Sequence, residues 1–238
     1  MNREYWDQQA DDWEGQIFDS LSEDLRGVIR RAIQRAARRS DRVLDFGCGV
    51  GGYLSLLSRE FREVHAIDWS ARCVARARER TRRLGNVTVE RNTPRVLRRL
   101  EGAFGCVVAA NVVIHPNAGV RRRLWLAIRR TARRGATSLF VVPSLESAQY
   151  CERVRRRLGL ARAAGANDVR AAAGIVPIEG VPTKHYAADE LRSVLAAAGF
   201  RLTVLTPVRY AWSSEGLAQL AGTRRRLPWD WLAEARAV

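Results

Sequence analysis

One stretch constrains this chain more than any other. At residues 43 to 54, Val-Leu-Asp-Phe-Gly-Cys-Gly-Val-Gly-Gly-Tyr-Leu, an apolar run breaks into a glycine-dense turn and restarts as a helix. Val43, Leu44 and Phe46 suit a strand buried on both faces. Gly47, Gly49, Gly51 and Gly52 remove the Cβ atoms that would keep a ligand off the backbone, and the amides at the start of the next helix are then free to face it. Four glycines in six residues are wasteful for a mere corner, so the segment reads as a ligand loop.

The spacing says which kind. Gly47-x-Gly49-x-Gly51 fits the Gly-x-Gly-x-x-Gly of a dinucleotide fingerprint only imperfectly, and no Gly-Lys-Ser/Thr ending marks a phosphate-cradling loop. An acid comes first instead, giving Asp45-x-Gly47-x-Gly49-x-Gly51. A second strand, Glu63-Val64-His65-Ala66-Ile67-Asp68, ends in a carboxylate 23 positions past Asp45, where an acid accepts both hydroxyls of a ribose. This order resembles motif I of the class I S-adenosylmethionine (SAM) dependent methyltransferases. The resemblance spans residues 40 to 206 and implies that Asp45, Gly47, Cys48, Gly49, Gly51 and Asp68 hold SAM. It further implies that Trp69 stacks on adenine, with a core position as its alternative, and that the loop at Asn92 and Thr93 borders the base. Asn111, at the end of the fourth strand, completes the expected cofactor set.

The remaining pattern supplies the fold. Residues 86–91, 104–110 and 137–142 read as the third, fourth and fifth strands. Residues 71–84 and 120–134 read as helices stopped by Gly85 and Gly135. A helix over 187–198 stopped by Gly199, a strand over 200–205 and an antiparallel partner over 229–235 close the chain. The expectation is an α/β fold: a doubly wound, mostly parallel seven-stranded sheet with an antiparallel last strand. It divides into an N-terminal lid and helix (1–39), a SAM-binding core (40–143), a substrate cap insertion after the fifth strand (144–186) and the rest of the core (187–238). The lid helix is expected to begin near Ser20 with a capping box to Glu23 and to bury Leu21, Leu25, Val28, Ile29 and Ile33. Within the insertion, 147–158 reads as helix and 174–182 as turn-rich.

Composition, with 47% hydrophobic and 28% charged residues in 238, is that of one globular domain. No run of 18 apolar residues and no signal-peptide core occur, so no membrane contact and a cytoplasmic location are expected. Cys48, Cys73, Cys106 and Cys151 lack metal-ligand spacing and read as free thiols. The net charge of +16 raises nucleic acid as a partner, yet Lys184 is the only lysine among 41 basic residues. That usage is the signature of a GC-rich genome, and no interleaved aromatic pattern accompanies it, so specific nucleic-acid binding is not expected.

The substrate side is expected on the elaborations of the fold. Tyr5 and Trp6 resemble an aromatic lid, with structural anchors as the alternative. Glu146, Lys184 and Tyr186 of the insertion are candidates for orienting an acceptor. His115, past the fourth strand, and His185 are the candidate general bases, whereas His65 inside a strand is structural. No Asn/Asp-Pro-Pro-Tyr or Pro-Cys follows the fourth strand, and no carboxylate cluster suggests a metal. The expected activity is in-line methyl transfer from SAM to a small molecule, releasing S-adenosylhomocysteine (SAH). An RNA or protein methyltransferase, and a SAM-binding regulatory protein without turnover, are the alternatives.

Overall fold

A computed structural model describes residues 3–10, 19–160, 173–178, 180–223 and 225–238. Parallel strands β1 (Arg42–Phe46), β2 (Glu63–Asp68), β3 (Val87–Arg91), β4 (Phe104–Ala110) and β5 (Ala132–Pro143) form the body of a seven-stranded sheet. Strands β8 (Phe200–Arg209) and β9 (Trp229–Ala237) complete it in the order β3-β2-β1-β4-β5-β9-β8, with β9 antiparallel to both its neighbours. The seven-stranded, mostly parallel architecture read from the sequence is therefore the one found.

Each central strand feeds two cores because its side chains alternate between the faces. Val43, Val64, Ala66, Cys106, Val108, Leu139 and Val141 point to one face, covered by α2 (Val28–Ala37), α3 (Leu54–Glu60) and α4 (Ala71–Thr81). Leu44, Phe46, Ile67, Val107, Phe140 and Val142 point to the other, covered by α5 (Pro94–Arg99), α6 (Ala118–Thr131) and α8 (Ala188–Ala197). A short helix α1 (Arg3–Gln9) lies against α4. Among the described residues no helix is long and apolar enough to cross a membrane, and all four cysteines are free and buried.

The structure departs from the sequence reading at several boundaries. Helix α4 ends at Thr81, three residues before Leu84. Gly135 does not stop a helix. Helix α6 ends at Thr131 and β5 begins at once, with Gly135 (φ +77°) inside it. The step from Phe104 to Cys106 on β4 is matched by Ala132 to Thr137 on β5, so extra residues bulge out and the glycine absorbs the bend. The lid helix starts at Val28, not near Ser20, and Leu25 is exposed. Asp24 accepts from the Ile29 amide at 2.7 Å, while the Ser20 hydroxyl bonds to Tyr53 Oη at 2.8 Å instead of capping a helix. Helix α7 (Leu145–Arg157) is capped by Ser144, and the turn-rich tract after it is an antiparallel hairpin, β6 (Ile175–Ile178) with β7 (Val181–Lys184).

Phe140 anchors the second core. It is fully buried, with Trp125 edge-on at 4.9 Å and Phe200 at 5.2 Å. Phe140→Ala is expected to lower unfolding free energy by about 3–5 kcal/mol, read from urea denaturation, through lost transfer energy and the cavity left behind.

Candidate functional site

The glycine turn is held open by backbone geometry. Gly47, Gly49 and Gly51 have φ of +78°, +52° and +91°. A Cβ on Gly47 would lie 2.6 Å from Val112 Cγ2, so the loop after β4 packs against the turn only if residue 47 is glycine. The amides of Gly47 and Cys48 both donate to the Ile67 carbonyl, at 2.7 and 3.1 Å, which fixes the turn to the end of β2. Asp68 continues the tie. Its Oδ2 accepts from the Gly49 amide at 3.0 Å and its Oδ1 from the Ser70 amide at 2.8 Å. Ser70 caps α4 and donates to Asp7 Oδ1 at 2.5 Å, which brings α1 to the same place.

A cavity opens at the carboxyl ends of β1 and β4, the point where strand order reverses and open α/β sheets bind ligands. Trp6, Asp45, Gly47, Cys48, Gly49, Asp68, Trp69, Asn92, Asn111 and His115, all expected from the sequence, line it together. Two of them carry buried oxygens without a hydrogen-bond partner, Asp45 Oδ2 and Asn111 Oδ1. Orphaned acceptors of this kind are costly unless a ligand supplies donors. Asn111 also has φ +56°, the one non-glycine residue in the left-handed region among those described, a strained conformation of the kind that gathers at functional sites.

Charge in the cavity is arranged against solvent. Burial, reinforced by the negative charge of Asp68, pushes the Asp45 carboxyl up to about 7. Burial also raises Asp68, to about 6, against the lowering effect of the amides of Ser70, Gly49 and Trp69. The Cys48 thiol, buried beside both acids, is raised well above its ordinary value and stays protonated. His115 is shifted down by burial and by positive charges including Arg121. Its Nδ1 lies 3.0 Å from the Asn117 amide and must accept from it, which assigns the ring proton to Nε2. The neutral ring thus has a donor, not a free lone pair, left for a ligand.

Other expected site residues do not line the cavity. Thr93 Oγ1 caps α5 by accepting from the Val96 amide. Gly51 belongs to the turn but faces Leu54 and Ala77. Tyr5 stacks edge-on against Trp6 at 5.1 Å. The insertion residues are built into the scaffold: Glu146 receives the Ala188 amide and the Trp231 indole N–H, buried Lys184 pairs with Glu190, and Tyr186 Oη donates to the Val113 carbonyl at 2.6 Å. His185 is buried with Nδ1 at 3.1 Å from the Thr183 carbonyl, and burial pushes its imidazole down to about 4. The backbone amide of Lys184 donates to Ile114 at 2.8 Å, so the hairpin braces the cavity wall from behind. Conversely, Asp19, Ser20, Tyr53, Ile114, Val120 and Leu124 line the cavity without a sequence signal, because nothing local in the chain marks which surface turn will fold over the glycine loop.

Residues 43–135 match the family model for a methyltransferase domain. The fold is Rossmann-like and is shared with solved structures across nearly the whole chain. A magnesium protoporphyrin IX methyltransferase from Synechocystis PCC 6803 with bound SAH is 16% identical, with 99% of this chain and 98% of that one covered at a TM-score of 0.63. A DhpI–SAH complex is 16% identical, with 99% and 94% covered at 0.61. A structure concerned with conversion of a disulfide bond into a thioacetal group during echinomycin biosynthesis is 24% identical, with 88% and 81% covered at 0.58. No curated protein matches the chain in sequence. The glycine turn, Asp45 and Asp68 fall inside the matched segment, whereas Trp6, Asp19 and Ser20 lie before it.

The raised Asp45 carboxyl has a consequence for stability. A folded-state value near 7 against an ordinary 3.8 means that the folded protein holds this proton more tightly than the unfolded chain does. Its contribution is full at low pH and is lost as pH rises through 7. Asp45→Asn in the ligand-free protein should therefore gain more stability over wild type at pH 8 than at pH 4, by on the order of 2–4 kcal/mol. Thermal melts at the two pH values measure it, and equal gains at both would show that Asp45 ionises without cost.

Proposed function

We propose that this protein is a methyltransferase that draws its methyl group from SAM, bound between the ends of β1 and β4, and delivers it to a small-molecule acceptor by in-line displacement. The observation that carries the reading is the pair of buried acceptors without partners, Asp45 Oδ2 and Asn111 Oδ1, in the same cavity as Asp68. The residues present fit SAM. Asp68 has lone pairs left after accepting two amides, enough for two ribose hydroxyls. Asp45 and Asn111 offer the acceptors that an ammonium group needs, and the turn at Gly47 and Gly49 lets the ligand approach the backbone. Trp69, 40% exposed at the cavity edge, presents a face for adenine beside Asn92.

When bound, SAM supplies a methyl group already made electrophilic by its sulfonium. The protein's share is then positioning and exclusion of water. Ile114, Val120 and Leu124 form an apolar wall and Trp6 closes the side facing α1, an enclosure suited to a small acceptor more than to a polymer. The neighbouring structures include a porphyrin methyltransferase, which is in keeping with such an acceptor. His115 serves best as a hydrogen-bond donor through Nε2–H that orients the acceptor, since its other nitrogen is engaged with Asn117.

Calorimetry tests the cofactor. SAM and SAH should bind one site, and Asp68→Ala should weaken both by about 10- to 100-fold, the loss of a charge-assisted pair of hydrogen bonds. Unchanged affinity in a folded variant would remove Asp68 from the site. The lid is tested separately: with Trp6 on the cavity and Asp7 tied to Ser70, SAM should slow amide exchange over residues 3–10 by about tenfold or more. Exchange there unaffected by SAM would show that α1 is no lid.

A further inference from the structure

The arginines of this chain are not all spread over helix faces. At the amino end of the sheet, the edge opposite the cofactor cavity, Arg134, Gly135, Arg201, Arg236, Ala237 and Val238 line an open groove of about 340 Å³ whose described lining contains no aspartate or glutamate. Three strands build it. The register of β8 on β9 sets Arg201 directly opposite Arg236, so both guanidinium groups leave the same face of the sheet from neighbouring positions. Like charges so placed destabilise a sheet. The acid two places along β9 on that face, Glu234, is bonded to Arg35 of α2. Arg236 is held in place, since its Nη1 donates to the Gly135 carbonyl at 2.9 Å and ties it to the bulge at the start of β5. That bulge, with Gly135 at φ +77°, brings Arg134 to the same groove. Val238 is engaged elsewhere, its amide on the Gly199 carbonyl at 3.0 Å and its carboxyl oxygen on Arg129. One more donor stands in the row: Thr137, cross-strand from Arg236 on the other side, is 8% exposed and its buried hydroxyl has no partner.

We infer that this groove is a binding site for a single phosphoryl oxyanion, either free phosphate or the terminal phosphate of a small molecule, held by Arg134, Arg201 and Arg236. A guanidinium presents its N–H donors in a planar fork that fits the oxygens of such an anion, and opposed arginines grip it from two sides. The anion converts the repulsion between Arg201 and Arg236 into attraction to a shared counter-ion. Three guanidinium groups suit a phosphate better than a carboxylate, whose two oxygens fill only one fork. The arginines also converge on one groove and do not run as a stripe, which is the arrangement for one anion and not for the repeated charges of a polymer. The site is independent of the SAM reading, because Asp45 and Asp68 lie at the carboxyl ends of β1 and β2, at the opposite edge of the sheet.

Calorimetry on the full chain, at ionic strength held constant with chloride, tests the site with three probes: inorganic phosphate, the monoester glycerol 3-phosphate and a short single-stranded RNA. Saturable binding of phosphate or of the monoester at one site per chain is expected, and the tighter of the two names the source. Arg201→Gln, which leaves the tie from Arg236 to Gly135 in place, should weaken that binding about 10-fold or more, and Arg134→Gln should do the same. Arg192→Gln, an equal loss of charge at an exposed position on α8, should leave it within about twofold. Thermal melts give a second readout. Without phosphate Arg201→Gln should melt no lower than wild type, because it removes a like-charged neighbour, and phosphate should raise the wild-type Tm more than that of the variant. No saturable binding of phosphate or monoester, an equal loss in Arg192→Gln, or unchanged binding in both Arg201→Gln and Arg134→Gln overturns the inference. RNA that binds through Arg201 with a salt dependence of about three or more phosphates overturns it in favour of a polyanion surface.

Discussion

Every feature of the cavity hangs on the way Asp68 and the end of β2 grip the glycine turn. The Ile67 carbonyl takes two amides, the Asp68 carboxylate takes two more, and between them they fix residues 47 to 49 and the first turn of α4. Four amides that would otherwise need water are satisfied by two adjacent residues at the tip of one strand. Turn, strand tip and helix start therefore move as one unit. The cost falls on Asp68, a buried carboxylate whose ionised form is kept only because amides surround it. That the same group has acceptor capacity left over makes it both a structural tie and a ligand contact, so a substitution there tests two things at once. The stability of the ligand-free variant and its affinity have to be measured separately.

A second constraint comes from the parallel sheet. Because β1 pairs with β2 on one side and β4 on the other, the chain leaves β1 and β4 in opposite directions and a crevice opens between their ends. What fills the crevice decides its chemistry. On the β1 side stand Asp45 and the glycine turn, and on the β4 side Asn111 in a left-handed conformation, with an orphaned oxygen contributed by each. The strain at Asn111 and the desolvation of Asp45 both oppose the ligand-free state. A cationic, donor-rich ligand relieves the second directly, because it restores to the carboxylate the stabilisation that burial removed.

The legible part of this architecture was the part written in local pattern. Apolar runs long enough to be buried on both faces, glycine density, and an acid at a fixed distance locate β1, β2 and the cofactor end of the cavity. They do so because strand burial and positive φ leave traces in residue type at the very positions concerned. Gly135 shows the limit. A glycine after a helix reads as a stop, but here it serves a bulge at the entry to β5, and both uses exploit the same left-handed freedom. Ser20 shows it again: Ser-x-x-Glu is a capping box only if a helix follows, and the Tyr53 hydroxyl, 33 positions away, wins that serine instead.

The insertion after β5 shows why polar residues near a site are poor guides to its chemistry. Glu146, Lys184, His185 and Tyr186 are the residue types that bind and activate substrates, and they lie in the right part of the chain. Yet each is placed where its polar atoms serve the fold: an amide and an indole on Glu146, Glu190 on Lys184, carbonyls at His185 and Tyr186. Buried polar groups demand partners, and a long connection that folds back on a sheet satisfies its own before it offers any to a ligand. The groups that do face the cavity, Asp19, Ser20 and Tyr53, come from a turn and from the residue ahead of a helix, brought together by packing over the glycine loop. Their place at the cavity is visible only in the fold, because nothing local in the chain says that the carboxylate of Asp19 will lie over the glycine turn at Gly52 or that Ser20 will meet Tyr53.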